Sequence, residues 1–230
     1  MKTKLLISIG IGTLIIITII FGTNFMIEHN NQRETELNQR AIALDSKRES
    51  EPNTILIYDM HDYEGIRLSI TPHTLVMNLT DGNIVRFVND GSTPVNIFDK
   101  AKGIWRFDDV KPSSQRVLTM NNTGFYEILV QNSREGESGR IVVLDNNVNS
   151  LSVGDRIKMG KAIISDNFQE YPELVSVGVG SGEIGVHVTI NKKELELHED
   201  AKSYYHEKFS KIIPFEVPIV IEFGDPIKPE

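Results

Sequence analysis

The chain has 230 residues, no cysteine and a formal net charge of −8 at neutral pH. Without cysteine there are no disulfide bonds and no thiolate chemistry, so each domain must be held together by its hydrophobic core. The acidic balance is the opposite of the clustered cations that bind nucleic acid, so we expect no nucleic-acid partner.

The amino terminus predicts a membrane anchor. Lys2 and Lys4 precede Leu5–Phe21, a long uncharged run of mainly apolar residues. About 20 such residues span a bilayer core as a helix, and no Ala-x-Ala-like cleavage site follows. We predict that residues 1–27 are an uncleaved single-pass anchor in the cell membrane, with a cleaved signal peptide as the alternative. Because both lysines precede the run, residues 28–230 are predicted to lie outside the cytoplasm.

Residues 28–53 are predicted to be a stalk or linker. The segment is rich in Glu, Asn, Gln and Arg, and Leu37, Ala41 and Leu44 give it one weak helical stripe. A coiled coil needs three or four heptads, which this segment does not have. Pro52 ends the stripe.

Residues 54–145 have the pattern of short strands. Seven runs rich in β-branched and aromatic residues are separated by turn signals such as Asp81-Gly82. The runs are Ile66–Ile70, Thr74–Asn78, Ile84–Val88, Val95–Phe98, Arg116–Met120, Phe125–Val130 and Arg140–Leu144. A series of this kind without a long helix predicts a mainly β chain that folds as a β-sandwich.

Residues 154–230 follow a polar join and have a different pattern, which predicts a small α+β domain in the order β-β-α-β. A helix with Leu197 and Tyr205 on its apolar face is expected to cover one side of a short sheet. The predicted elements are strands Leu174–Gly180 and Glu183–Ile190, helix Lys192–Ile213 and strand Ile219–Phe223. This order occurs in many small modules, so it predicts no activity.

Three stretches of the strand-rich region carry a family resemblance. The first has Pro72, a turn at Gly82 and the strand that follows it; the second is centred on Pro112; the third is Gly124-Phe125-Tyr126 with the last predicted strand. Together they resemble the framework of the cupredoxins over about a third of the chain. The resemblance implies a cupredoxin-like Greek-key β-sandwich.

The resemblance also implies where copper would be bound. Val95 takes the position of the family's first histidine, Val130 that of its cysteine and Ser133 that of its second histidine, and the methionine falls at Gly136. A type 1 copper centre needs two imidazoles and a thiolate, usually with a weak axial thioether. The resemblance therefore implies a sandwich without this copper site, and we predict no metal and no other cofactor.

The histidines leave one alternative open. Copper could be held by His and Met ligands, although no pair has His-x-His or His-x-x-x-His spacing. The candidates are His61, His73, His187, His198 and His206.

Two segments match the acceptor pattern for N-linked glycosylation. They are Asn78-Leu79-Thr80 and Asn121-Asn122-Thr123, and both lie at or near predicted turns. Because both fall in the part predicted to be outside the cytoplasm, Asn78 and Asn121 are candidate modification sites.

The chain has no Gly-x-Ser-x-Gly or His-Glu-x-x-His motif, so we predict that it is not an enzyme. The expected function is that of an interaction or accessory module that docks to another envelope or membrane protein. The main alternative is a copper-handling or electron-transfer accessory protein with non-cysteine ligands. An enzyme based on residues 154–230 is a further alternative without motif support.

Overall fold

The computed structural model describes residues 53–62, 65–101, 103–180 and 183–225. The predicted anchor, residues 1–27, and the predicted stalk up to Pro52 lie outside these ranges. Within them, no helix has both the length and the apolar character that crossing a bilayer requires.

Nine strands form two mixed sheets. They are β1 (Thr54–Asp62), β2 (Gly65–Thr71), β3 (Thr74–Asn78), β4 (Ile84–Asn89), β5 (Val95–Asp99), β6 (Arg106–Val110), β7 (Ser114–Thr119), β8 (Gly124–Gln131) and β9 (Gly136–Leu144). One sheet has the order β2-β1-β4-β7 and the other β3-β9-β8-β5-β6. The chain crosses repeatedly between the two sheets, which confirms the predicted β-sandwich and the mainly β class.

Burial alternates along strands such as β4, β5 and β8, because successive strand residues point to opposite faces. Ile55 and Ile57 of β1, Phe87 of β4 and Ile128 of β8 are all 0% exposed and belong to one cluster between the sheets. Full burial of such a side chain contributes about 1.5–3 kcal/mol. Trp105 covers this cluster, with its ring centroid 5.7 Å from that of Phe87.

The sequence pattern misses two strands, β1 and β6. β1 is central in its sheet, antiparallel to β2 and parallel to β4, so its consecutive apolar residues do not show a clear alternation. β6 pairs with β5 through a register shift between Val95 and Ile97, which interrupts the period of two.

The C-terminal region has the order α-β-β-α-β, with one helix more than the predicted β-β-α-β. Its elements are α1 (Val153–Asp166), β10 (Leu174–Val179), β11 (Val186–Asn191), α2 (Ala201–Ser210) and β12 (Ile219–Gly224). The sheet order is β10-β11-β12, with β10 antiparallel and β12 parallel to β11.

Helix α1 begins at a cap that the sequence analysis overlooks. Ser152 Oγ accepts a hydrogen bond from Asp155 N at 3.1 Å and donates one to Asp155 Oδ2 at 2.8 Å, so Ser152 is the N-cap of the helix. The helix packs on β10 and β11 and also on β8 and β9 of the sandwich. As a result, Val142 and Leu144 of β9 lie in the same hydrophobic cluster as the C-terminal sheet.

Helix α2 is shorter than the predicted helix Lys192–Ile213. Residues Lys192–Glu196 form a separate 3-10 turn, and Asp200 Oδ1 caps α2 by accepting from Ser203 N at 3.1 Å. Capping side chains satisfy backbone N–H groups that a continuous helix would bond internally. Leu197, predicted on the buried face, falls between the two segments and is 67% exposed.

Candidate functional site

Two of the four positions to which the resemblance assigns copper ligands come together inside the sandwich. Val130 of β8 pairs with Ile97 of β5, so Val95, two residues before Ile97, is its diagonal neighbour on the same face. Val95 is 1% exposed and Val130 is 0% exposed, and both belong to the sandwich core. Apolar side chains therefore occupy the interior at these two positions.

The other two positions, Ser133 and Gly136, lie in and beside the connection between β8 and β9, and both are exposed. Asn132 Oδ1 accepts hydrogen bonds from the backbone N–H groups of Arg134 at 2.8 Å and Glu135 at 2.9 Å. The backbone N–H of Asn132 donates to Glu135 O at 3.0 Å. The connection is thus a tight turn stabilised by an asparagine side chain, and Ser133 is exposed within it.

A buried asparagine closes the connection that leads into Val95. Asn89 is 0% exposed, and its Nδ2 donates to Thr93 O at 2.9 Å and to Val110 O at 2.8 Å. Its Oδ1 accepts from Gly91 N at 3.0 Å. We call this part of the sandwich, formed by the β4–β5 and β8–β9 connections with Val95 and Val130, the valine end. Its buried polar groups are satisfied within the protein.

The described histidine side chains do not converge on one site. His73 Nδ1 lies 3.5 Å from Glu137 Oε1, and His198 stacks on Tyr204 with ring centroids 3.8 Å apart. Across the described ranges, no group of three or more His, Cys, Asp or Glu side chains could hold a metal ion. The side chain of His61 is not among the described ones.

His187 is held on the outer face of the C-terminal sheet. Its Nδ1 lies 3.0 Å from Glu222 Oε1, and its Nε2 lies 2.8 Å from Glu183 O. The Glu183 carbonyl, followed by the Glu222 carboxylate, raises the pKa of His187, while partial burial opposes the rise. A Cβ atom at Gly180 would lie 2.1 Å from Nε2, so the glycine makes room for the ring. Both ring nitrogens of His187 lie next to acceptors. The side chain therefore joins Glu183, in the connection between β10 and β11, to Glu222 of β12.

Two polar side chains of α2, Tyr205 and Lys208, have partners in the C-terminal region. Tyr205 is 2% exposed, and its hydroxyl donates to Glu194 Oε2 at 2.6 Å. Burial, with the Glu194 carboxylate next in importance, raises the pKa of Tyr205. Lys208 forms an ion pair with Glu173 and lies 4.9 Å from the ring centroid of Tyr171. These groups hold α2 in place and leave no free nucleophile or base among themselves.

The two glycosylation sequons meet at the opposite end of the sandwich, which we call the sequon end. Asn78 ends β3 and is half-buried, and its Oδ1 accepts from Thr80 N at 3.1 Å. Asn121 is exposed in the β7–β8 connection. A groove of about 380 Å³ runs between the two segments, lined by residues 79–83 together with Met120 and Asn121.

The Gly124-Phe125-Tyr126 motif fixes the turn at this end. The Tyr126 hydroxyl donates to Asn122 O at 3.0 Å, and Gly124 has a φ of 155° that side chains disfavour. Burial, and then the nearby Asp99 carboxylate, raise the pKa of Tyr126. The motif behind the family resemblance therefore has a structural use: it holds the sequon turn.

A second cleft lies where the sandwich meets α1. It has a volume of about 450 Å³ and is lined by the start of β8 and the first turn of α1. Its charged residues include Glu127, Asp155 and Lys158, and the last two lie 3.9 Å apart as an ion pair. The mixture of charges selects no single ligand chemistry.

Comparisons with known proteins find partial structural matches. No protein-family model and no curated protein matches the chain. A purple cupredoxin from Nitrosopumilus maritimus is 16% identical, with a TM-score of 0.32, over 40% of this chain and 98% of its own. A multicopper oxidase is 14% identical, with a TM-score of 0.28, over 41% of this chain and 42% of its own. At this level of similarity neither structure supports a functional assignment.

Proposed function

We propose that the chain is a membrane-anchored, extracytoplasmic protein whose cupredoxin-like sandwich lacks a type 1 copper site and acts by contact with another envelope or membrane protein. The observation that carries the proposal is the valine end. Val95 and Val130 occupy the two interior positions where the family resemblance implies a histidine and a cysteine, and both are buried in the core.

The chemistry of these positions supports the absence of a type 1 site. Valine has no donor atom, and the chain contains no cysteine that could supply a thiolate from elsewhere. The polar groups beside the valines are already used, since the Asn89 side chain bonds backbone groups on both sides of the β4–β5 connection. The sandwich can keep its stability without metal because its core is packed with apolar side chains.

Exposed apolar side chains support a role in contacts. Leu195, Leu197 and Tyr204 are 50%, 67% and 45% exposed, and they follow one another between β11 and the first turn of α2. Contiguous exposed apolar patches mark interaction sites, and we propose that these three side chains belong to one. The membrane placement rests on the uncharged run Leu5–Phe21 and the two lysines before it.

Copper analysis of the full-length protein tests the first half of the proposal. We expect less than one copper per ten chains after purification without chelators, and no intense blue absorption on addition of Cu(II). One tightly bound copper per chain would favour the alternative, a copper-handling accessory protein with His and Met ligands. Protease added to intact cells should cleave the folded region, because that region is proposed to lie outside the cytoplasm.

Site-specific crosslinking in native membranes tests the second half. Because the chain is free of cysteine, a single Leu197→Cys variant can carry a thiol-linked photocrosslinker. The control is Ser210→Cys, an exposed position at the end of α2. We expect one membrane or envelope protein to be captured from position 197 and not from position 210. Equal capture from both positions, or from neither, would contradict a specific contact at this surface.

A further inference from the structure

We propose that Asn121 carries an N-linked glycan whose first sugar lies in the groove at the sequon end, and that the glycan is attached before the β7–β8 connection folds. This inference rests on the extracytoplasmic placement proposed above, because N-linked sugars are added to chains exposed on that side. It assigns the modification to one of the two sequons.

The folded structure offers room for a sugar at Asn121 rather than at Asn78. Asn121 is exposed, whereas Asn78 is half-buried at the end of a paired strand. The two segments are tied together, since Met120 N donates to Asn83 O at 2.7 Å. A glycan at Asn121 therefore projects from a fixed position beside the groove.

The second feature that supports modification of Asn121 is the hydroxyl of Thr123. Thr123 Oγ1 is buried and has no hydrogen-bond partner, although a buried hydroxyl normally finds one. Valine would fill the same volume without an unsatisfied group. The Thr54 and Thr74 hydroxyls are also buried without a partner, but of these three threonines Thr123 alone completes the acceptor pattern, which requires a Ser or Thr two residues after the asparagine. The hydroxyl is needed while the segment is still unfolded and becomes buried afterwards.

The groove has the surface that a sugar ring requires. Half-buried Leu79 provides an apolar contact, and Thr80, Asp81 and Asn83 provide polar groups at its sides. A pyranose ring presents C–H groups on its faces and hydroxyl groups at its edges, so it matches such a lining. The Tyr126 hydroxyl keeps the neighbouring turn in place by donating to Asn122 O at 3.0 Å.

The attachment is a transfer of a sugar from an activated donor, a sugar linked to a lipid phosphate. A bond forms between Asn121 Nδ2 and the anomeric carbon of the sugar. The bond between that carbon and the phosphate oxygen breaks, and the phosphate leaves with the electron pair. One amide proton of Asn121 passes to a base of the transferring enzyme.

Mass spectrometry of the full chain, purified from membranes of its source cells, tests the assignment. Trypsin cleavage after arginine separates the two sequons, because Asn78 lies in peptide 68–86 and Asn121 in peptide 117–134. We expect the mass of one or more sugars on peptide 117–134 and an unmodified peptide 68–86. A sugar on 68–86 alone would overturn the choice of Asn121.

A matched pair of variants expressed in the same cells separates modification from folding. Thr123→Val should abolish the sugar on peptide 117–134. Its melting temperature should be equal to or higher than that of the unsubstituted chain without glycan, prepared by enzymatic removal of the sugar or in cells that cannot attach it. Thr123→Ser should keep the sugar, and Asn121→Gln should lose it. If Thr123→Val lowers the melting temperature, the hydroxyl has a folded-state role and the reasoning from its burial is wrong.

Protease treatment of intact cells distinguishes a failure of the glycan proposal from a failure of the proposed extracytoplasmic placement. An unmodified peptide 117–134 in a chain that external protease cleaves would overturn the glycan and leave the proposed placement standing. A chain that external protease does not reach, and that carries no sugar, would contradict both.

Discussion

The two ends of the sandwich are closed by different means, although the same strands run between them. At the valine end, apolar side chains fill the interior, and Asn89 and Asn132 bond the backbone of the two connections. At the sequon end, the Tyr126 hydroxyl and the backbone bond from Met120 N to Asn83 O hold the connections and leave an open groove. The first end is therefore built for stability, and the second leaves surface available for modification.

The largest effect is expected from a charge placed at the valine end. Val130→Asp buries a carboxylate at a position that is 0% exposed, and we expect a loss of about 4 kcal/mol in the free energy of unfolding. Ser133→Asp, three residues away and exposed, should change it by less than about 0.5 kcal/mol. Urea denaturation monitored by circular dichroism measures both. Equal effects would show that Val130 is not in a packed interior.

Removal of the buried asparagine comes next. Asn89→Ala leaves the carbonyl groups of Thr93 and Val110 without their donor, and unpaired buried groups cost about 1–3 kcal/mol each. We expect a loss of about 3 kcal/mol by the same denaturation measurement. The control is Asn96→Ala, whose side chain accepts one exposed hydrogen bond from Asp109 N and should cost less than about 1 kcal/mol.

A smaller effect is expected at the sequon end. Tyr126→Phe removes the hydrogen bond to Asn122 O and should lower the free energy of unfolding by about 1 kcal/mol. Hydrogen exchange should become faster in the β7–β8 connection and stay unchanged in the β8–β9 connection. Tyr204→Phe, which changes an exposed ring, serves as the control with no expected effect. Faster exchange at both ends would mean that they are not independent.

The sequence predicted the sandwich better than the C-terminal region, for identifiable reasons. Alternating strands such as β4 and β8 have one buried face, so their period is visible. Helix α1 lies between the sandwich and the C-terminal sheet and is apolar on more than one side, so its periodicity is blurred. Asp200 sets the start of α2 through an N-cap whose effect depends on local geometry.

The arrangement of the candidate site also depends on strand pairing that the local sequence pattern does not contain. The strand pattern placed Val95 and Val130 correctly in strands, but only the register between β5 and β8 shows that they are neighbours on the inner face. The His187–Glu222 contact depends on the parallel pairing of β11 and β12, which no local pattern contains. The unpartnered Thr123 hydroxyl is likewise visible only in the folded structure.

The smallest predicted change in stability concerns His187, which lies at neither end of the sandwich. Because the pKa of His187 is raised in the folded state, its contribution to stability is fully present below the unfolded pKa of about 6.5 and is lost as the pH rises through the higher folded pKa. We expect a change of less than about 1 kcal/mol, and Glu222→Gln should reduce it. Thermal melts between pH 5 and 9 measure it; an unchanged slope in Glu222→Gln would contradict the assigned contact.

The central claim is that the sandwich keeps the positions of a copper site while its side chains there cannot hold the metal. The most direct test is a Cu(II) titration of the full-length protein beside the variant Val95→His, Val130→Cys, Ser133→His and Gly136→Met. We expect no stoichiometric binding by the unmodified chain, and one copper with strong blue absorption in the folded variant. Tight binding of one copper by the unmodified chain, or a folded variant that binds none, would contradict the claim.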